Sequence, residues 1–199
     1  MLTNNTEASA LQKGIEIIKN GGVVIFPTDT AFGIGCRIDN EKAIQRLFSI
    51  KKRDVSQAVP VLVNGFEMAQ TLLKPIPQEV YEKLIKPFWP GGLTIILPCL
   101  TEKVSPLLRG NGETLGVRSP NHPITQALIA GVDVPLIGTS ANLHGHKTPF
   151  VIADLEKELI NTVDYIVPGE SYGQKASTIV DCSTSPWKIV REGAIKLDI

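Results

Sequence analysis

Two rhythms of apolar residues run along this chain. Ala8, Leu11, Ile15 and Ile18 recur at the helical period, which predicts a first helix stopped by Gly21-Gly22. The unbroken run Val23-Val24-Ile25-Phe26 reads as a short buried strand, and Pro27 removes the donor that would continue its ladder. Ala43, Ile44, Leu47 and Phe48 mark a second helix, opened by Asp39 or Asn40 as a cap. A buried strand is expected over 59–63, where Pro60 implies an edge position or an irregular start. A helix over 78–86 should stop at Pro87. Strands follow over 93–97 and 115–118. A helix over 124–129 then precedes a break at Gly131 and a strand over 134–138. The pattern closes with a helix near 152–160 and strands over 165–167, 178–180 and 188–190.

Strands alternating with helices predict an α/β fold. The expected architecture is a single-domain, twisted, open mixed β-sheet with flanking helices. At 199 residues the chain has ample length for one core. The Pro/Gly clusters are evenly spaced, as turns would be, so residues 1–199 read as one domain. There is no internal repeat and no low-complexity tract.

Composition narrows the chemistry. Twenty Lys plus Arg balance twenty Asp plus Glu, so a polyanion would need a local patch rather than a net field. Cys36, Cys99 and Cys182 are far apart with no Cys-x-x-Cys pair, as buried apolar residues of a cytoplasmic protein would be. No apolar run nears the ~20 residues that span a bilayer. The polar start lacks the order of a signal peptide, and without a secretory route the sequon Asn4-Asn5-Thr6 carries no meaning.

Familiar sites are missing. Gly33-Ile34-Gly35 has no third glycine at the dinucleotide spacing, and in Gly145-His146-Lys147-Thr148 a histidine stands where a phosphate loop needs glycine. His144 and His146 without a carboxylate nearby make a poor metal site, and no metal is expected on the protein. A hydrolase elbow is also absent. What remains is a loop, 27–35, at a strand end where open α/β sheets hold ligands, and five polar clusters at other element ends. These are Lys51-Lys52-Arg53, the strand ending at Arg118, Gly138-Thr139-Ser140-Ala141-Asn142, the strand opened by Ser177, and Arg191-Glu192-Gly193. Singly each has an ordinary account, because cations complement a helix C-terminus and Ser/Thr/Asn cap and turn. Together they supply cations and small donors with no evident general base. That inventory suits positioning and charge neutralisation around a phosphorylated ligand.

Seven motifs occur in order: Pro27-Thr28-Asp29-Thr30-Ala31-Phe32-Gly33, Lys51-Lys52-Arg53, Phe88-Trp89-Pro90-Gly91-Gly92-Leu93-Thr94, Gly116-Val117-Arg118-Ser119-Pro120, Ser140-Ala141-Asn142, Ser177-Thr178-Ile179-Val180-Asp181 and Arg191-Glu192-Gly193. The set resembles the YrdC family of threonylcarbamoyl-AMP synthases over nearly the whole chain. The resemblance is to the short form; longer members carry a further C-terminal domain. It implies condensation of L-threonine, bicarbonate or CO2, and ATP into threonylcarbamoyl-adenylate, with release of pyrophosphate. Separate transferase proteins then carry the group to adenosine 37 of tRNA. By motif match, Lys51, Arg53, Ser140 and Asn142 would serve the reaction centre. Gln57, Thr114, Thr148 and Arg191 would join them around ATP, which brings Mg²⁺. Arg118 would clamp the threonine carboxylate, with Thr30, Phe32, Gly138 and Ser177 around it and Asp29 bracing the loop. Phe32 stands where the family often has Tyr, Gln57 where it often has Lys or Asn, and Leu62 where many members have His. Gly138-Thr139 replaces a common Ala-Pro.

Two other readings stay open. One is a module that binds structured RNA in the same basic cavity, although zero net charge argues against high affinity and allows at most a weak tRNA contact. The other is carbamoyl-adenylate chemistry on another acceptor.

Overall fold

The computed structural model describes residues 3–199, with side chains from Thr6 onward. Met1, Leu2 and the side chains of Thr3, Asn4 and Asn5 lie outside the described residues. Helix α1 (Thr3–Lys19) leads through Gly21, at φ 83°, into β1 (Val24–Phe26), which hairpins back as β2 (Gly33–Gly35). Then come α2 (Glu41–Lys51), β3 (Val61–Leu62) and the short α3 (Phe66–Gln70). One continuous helical stretch follows, made of α4 (Gln78–Val80), a π-helical turn (Tyr81–Ile85) and α5 (Lys86–Phe88). Strands β4 (Leu93–Pro98) and β5 (Thr114–Arg118) precede α6 (Pro123–Val132), and β6 (Leu136–Ile137) is followed at once by β7 (Thr139–Ser140). A 3₁₀ turn (Ile152–Asp154), α7 (Lys157–Ile160), β8 (Tyr165–Ile166), β9 (Thr178–Asp181) and β10 (Lys188–Arg191) complete the order.

The expected mixed α/β architecture is present, but its strands form two sheets rather than one. Four strands run β7-β2-β1-β8 and six run β10-β9-β4-β5-β3-β6, each sheet combining parallel and antiparallel pairs. Gly138 alone separates β6 from β7, so the chain passes there from one sheet to the other. Strand β1 explains the unbroken apolar run that precedes the loop. Val23 and Ile25 join one buried cluster, while Val24 and Phe26 join a second with Ile15, Ile18, Leu128 and Ile129. Alternate side chains point to opposite faces, and both faces are covered. The three cysteines are buried and unpaired, and burial pushes the Cys36 and Cys182 thiols up to about 12.

Four sequence expectations need correction. Pro87 does not end its helix: the wider π turn before it, closed by the bond from Lys86 N to Tyr81 O, carries the chain past a residue that has no N–H to give. Gly131 lies inside α6, which ends instead at Asp133 in the left-handed region at φ 61°. A Cβ on Gly131 would stand 2.4 Å from Ile15 Cδ1, so this glycine serves the close crossing of α1 and α6. The glycine-rich stretch 33–35 is a strand, paired with β1 and β7. The helix near 152–160 is two short pieces. Of the two cap candidates for α2 it is Asn40 whose side chain accepts from Ala43 N at 3.1 Å; Asp39 pairs with Arg37.

Candidate active site

A cavity of about 210 Å³ opens where the two sheets meet. The four-stranded sheet contributes the Thr28–Gly33 segment with Thr139 and Ser140. The six-stranded sheet contributes Leu62, Arg118, Ser177, Ile179 and Arg191 at strand ends. Arg53, Ala58, Pro60 and Thr148 close the remaining sides. All five residues expected around threonine, namely Thr30, Phe32, Arg118, Gly138 and Ser177, line this one cavity. Of the nucleotide set, Arg53, Ser140, Thr148 and Arg191 line it as well.

The local fold explains each placement. Thr28 Oγ1 donates to Ala31 O at 2.7 Å and accepts from Thr30 N at 3.1 Å, the side-chain-to-backbone turn to which threonine is suited. That turn aims Thr30 Oγ1 at Arg118, whose Nη1 donates to it at 2.8 Å. Arg118 also donates through Nε to Gly91 O at 2.9 Å and through Nη2 to Asp29. Three of its five N–H donors are thus engaged, and two remain. Burial pushes the Arg118 pKa down, with Asp29 opposing. Asp29 is therefore a specific partner of the buried arginine, beyond the general brace that its loop position suggested.

Arg53 and Arg191 are different. Neither has a carboxylate within ion-pair distance among the described residues. Arg191 donates to Ser177 O and, at 2.9 Å, to Ser177 Oγ, and that hydroxyl in turn meets Thr94 Oγ1 at 3.0 Å. Arg53 donates to Ala58 O at 2.7 Å, while its Nε is buried without a partner. Burial lowers both pKa values and no counter-charge opposes it. Two guanidiniums without carboxylate partners in one cavity have the chemistry that suits anion recognition.

Lys51 and Asn142 sit underneath rather than on the wall. Lys52 takes the left-handed conformation at the end of α2, at φ 51°, so Lys51 turns inward and Arg53 turns toward the cavity. Lys51 is 2% exposed, and its Nζ donates to Ser140 O at 2.5 Å and Asn142 O at 2.6 Å. Burial first, then the nearby Arg53 charge, pulls its pKa down to about 7. Asn142 Nδ2 donates to Leu143 O and His146 O, both at 2.8 Å. Gln57 and Thr114 do not line the cavity; Thr114 opens β5, four residues before Arg118, opposite Pro98. Sequence reasoning assigned no role to Thr94, although it stands in the Phe-Trp-Pro-Gly-Gly-Leu-Thr motif. His144 and His146 are exposed; against the sequence expectation a carboxylate does lie nearby, since folding brings Glu156 to 2.9 Å from His146.

The family model of Sua5, YciO and YrdC, described as telomere recombination, matches residues 16–193. The chain belongs to the Sua5/YciO/YrdC family. Among relatives, a threonylcarbamoyl-AMP synthase of Bacillus subtilis (strain 168) is 30% identical over 192 residues, covering 96% of this chain and 55% of that protein. This family member therefore spans about half the length of that relative. An uncharacterized protein YciO of Escherichia coli (strain K12) is 29% identical, covering 96% of this chain and 92% of its own. The crystal structure of Pyrococcus abyssi Sua5 complexed with L-threonine superposes with a TM-score of 0.87 at 32% identity, covering 94% of this chain and 54% of that one.

Proposed function

We propose that this family member forms L-threonylcarbamoyl-adenylate from L-threonine, bicarbonate or CO2, and ATP, releasing pyrophosphate for tRNA threonylcarbamoyladenosine synthesis in the cytoplasm. The observation that carries this reading is the pair Arg53, half-buried, and Arg191, on an exposed strand, which have no carboxylate partner and line the same cavity as the buried Arg118. A carboxylate on the two free donors of Arg118 would place the amino group of threonine inside the cavity. Thr30, Ser177, Phe32 and the Gly138 backbone would surround it. Carboxylation of that amine yields a carbamate. One carbamate oxygen then bonds to the α-phosphorus while the bond to the pyrophosphate oxygen breaks.

Both partners of that step are anionic, and their repulsion is strongest in a low-dielectric cavity. Arg53 and Arg191 offset it, with Ser140 and Thr148 donating beside the phosphates. Lys51 and Asn142 act as positioning residues that hold the 140–148 loop in place. No carboxylate lines the cavity, and no cluster of three metal-ligating side chains occurs among the described residues. The donor set fits a Mg²⁺ carried on the phosphates of ATP, where it would neutralise charge. Transferase proteins and tRNA would act downstream. No helix among the described residues is long and apolar enough to cross a membrane.

The test is pyrophosphate release from ATP and bicarbonate with L-threonine, with serine, and without an amino acid. Release that requires both threonine and bicarbonate is expected. Release indifferent to threonine, or none, overturns the reading.

A further inference from the structure

The wall beside Arg118 holds a steric pair that none of the polar motifs contains. Leu62 ends β3, directly across the parallel pairing from Arg118 and across the antiparallel pairing from Leu136. Residues paired across a sheet share a face, so Leu62 and Arg118 leave neighbouring strands on the same face, and both line the cavity. Leu62 is 2% exposed and lines the cavity. Its branched end rests on Gly138: a Cβ there would lie 2.2 Å from Leu62 Cγ, 2.4 Å from Cδ1 and 2.7 Å from Cδ2. All three distances are far inside contact. One volume therefore serves two positions, and it holds a large residue at 62 only because residue 138 has no side chain.

The consequence is a cavity of mixed lining. Thr28, Thr30, Ser177 and Arg118 supply side-chain donors and acceptors, while Phe32, Pro60 and Leu62 supply none. An α-amino acid anchored by its carboxylate on Arg118 keeps its Cα substituents within reach of the residue adjoining that arginine. A hydroxyl would turn to the threonine and serine residues. A methyl group would turn to the leucine.

Resting on the reading of this cavity as an amino-acid site, we propose that Leu62, seated on Gly138, is the specificity-determining wall that receives the threonine methyl group and disfavours serine. One methyl in an apolar pocket discriminates by roughly 10–200-fold, which sets the scale of the effect.

Calorimetric titration of the whole chain with L-threonine and L-serine, without ATP, tests this. The wild type should bind threonine at least about tenfold more tightly than serine. Leu62→Ala should shrink that ratio to about threefold or less, with Leu62→Val, which leaves a smaller cavity, falling between. Gly138→Ala should weaken threonine binding by driving Leu62 into the cavity, and the double variant Leu62→Ala/Gly138→Ala should recover part of the loss. A wholly structural role for Leu62 would change thermal stability and leave the threonine-to-serine ratio unmoved. An unchanged ratio in both Leu62 variants, or undiminished threonine binding by Gly138→Ala, overturns this inference alone. Absence of binding by any amino acid overturns the amino-acid reading of the site and this inference with it.

Discussion

Lys51 and Arg53 leave the end of α2 two residues apart and finish in different surroundings. Sequence counted them as two similar cations, because alternation and spacing say nothing about the left-handed turn at Lys52 that parts them. Lys51 lies beneath the Ser140–Asn142 segment with its pKa lowered from 10.5 to about 7 by burial. The folded-state value is below the unfolded one, so between about pH 7 and 10.5 the unfolded chain binds the extra proton and stability rises with pH. Below pH 7 both states are protonated and the full cost of burying the charge remains. A neutral amine still has two N–H donors for its two carbonyl acceptors. In urea titrations, the stability of wild type relative to Lys51→Met should therefore increase by up to about 1.4 kcal/mol per pH unit from pH 7 to 9. A difference that stays flat across that range would mean the ammonium is not desolvated. Thr30, Phe32, Arg118, Gly138 and Ser177 were legible as a group from motif order. Their common cavity was not, since it draws on strand ends up to 147 positions apart (Thr30 to Ser177).

At the scale of elements, long apolar patterns were legible and short strands were not. Helices α1 and α2 and strands β4, β5 and β9 follow directly from periodicity. Strand β2 escaped because Gly-Ile-Gly carries the composition of a turn. Its glycines answer to a neighbour instead: a Cβ on Gly35 would lie 1.9 Å from the carbonyl oxygen of Ile137. The four-stranded sheet passes the other at backbone distance there, and a main-chain oxygen has little freedom to move aside. Gly35→Ala should cost roughly 3 kcal/mol or more as an overpacked backbone contact. For a chain of this size that is a fall in Tm of roughly 6–12 °C, measurable by circular dichroism. A change within about 2 °C would show that the sheets can part at this point. The π turn before Pro87 escaped for a related reason, because proline stops a helix only where the preceding turn cannot widen.

The whole molecule brings its chemistry to the junction of the two sheets, and Gly138 is the residue at which the chain crosses between them. Ligands that bridge the junction should bind only the folded state and stabilise it. ATP at a hundredfold excess over its Kd is expected to add about 2.7 kcal/mol, or roughly 5–10 °C in Tm. Arg53→Ala should abolish this ATP shift while leaving the ligand-free Tm within about 2 °C of wild type, because Arg53 has no carboxylate partner to lose. A full ATP shift in that variant would place the phosphates elsewhere.

By itself the sequence determined the helical and strand rhythm, the α/β class, the kinship and the identity of most cavity residues. Those properties are written locally, in periodicity, turn chemistry and short motifs, and survive reading one segment at a time. Only the tertiary structure decided that the strands divide into two sheets, that Lys51 lies under the cavity while Arg53 faces it, that Asp29 answers Arg118, and that Leu62 fills the space left by Gly138. Each of these is set by which distant backbones approach one another, and that distance is a property of packing rather than of any segment's own pattern.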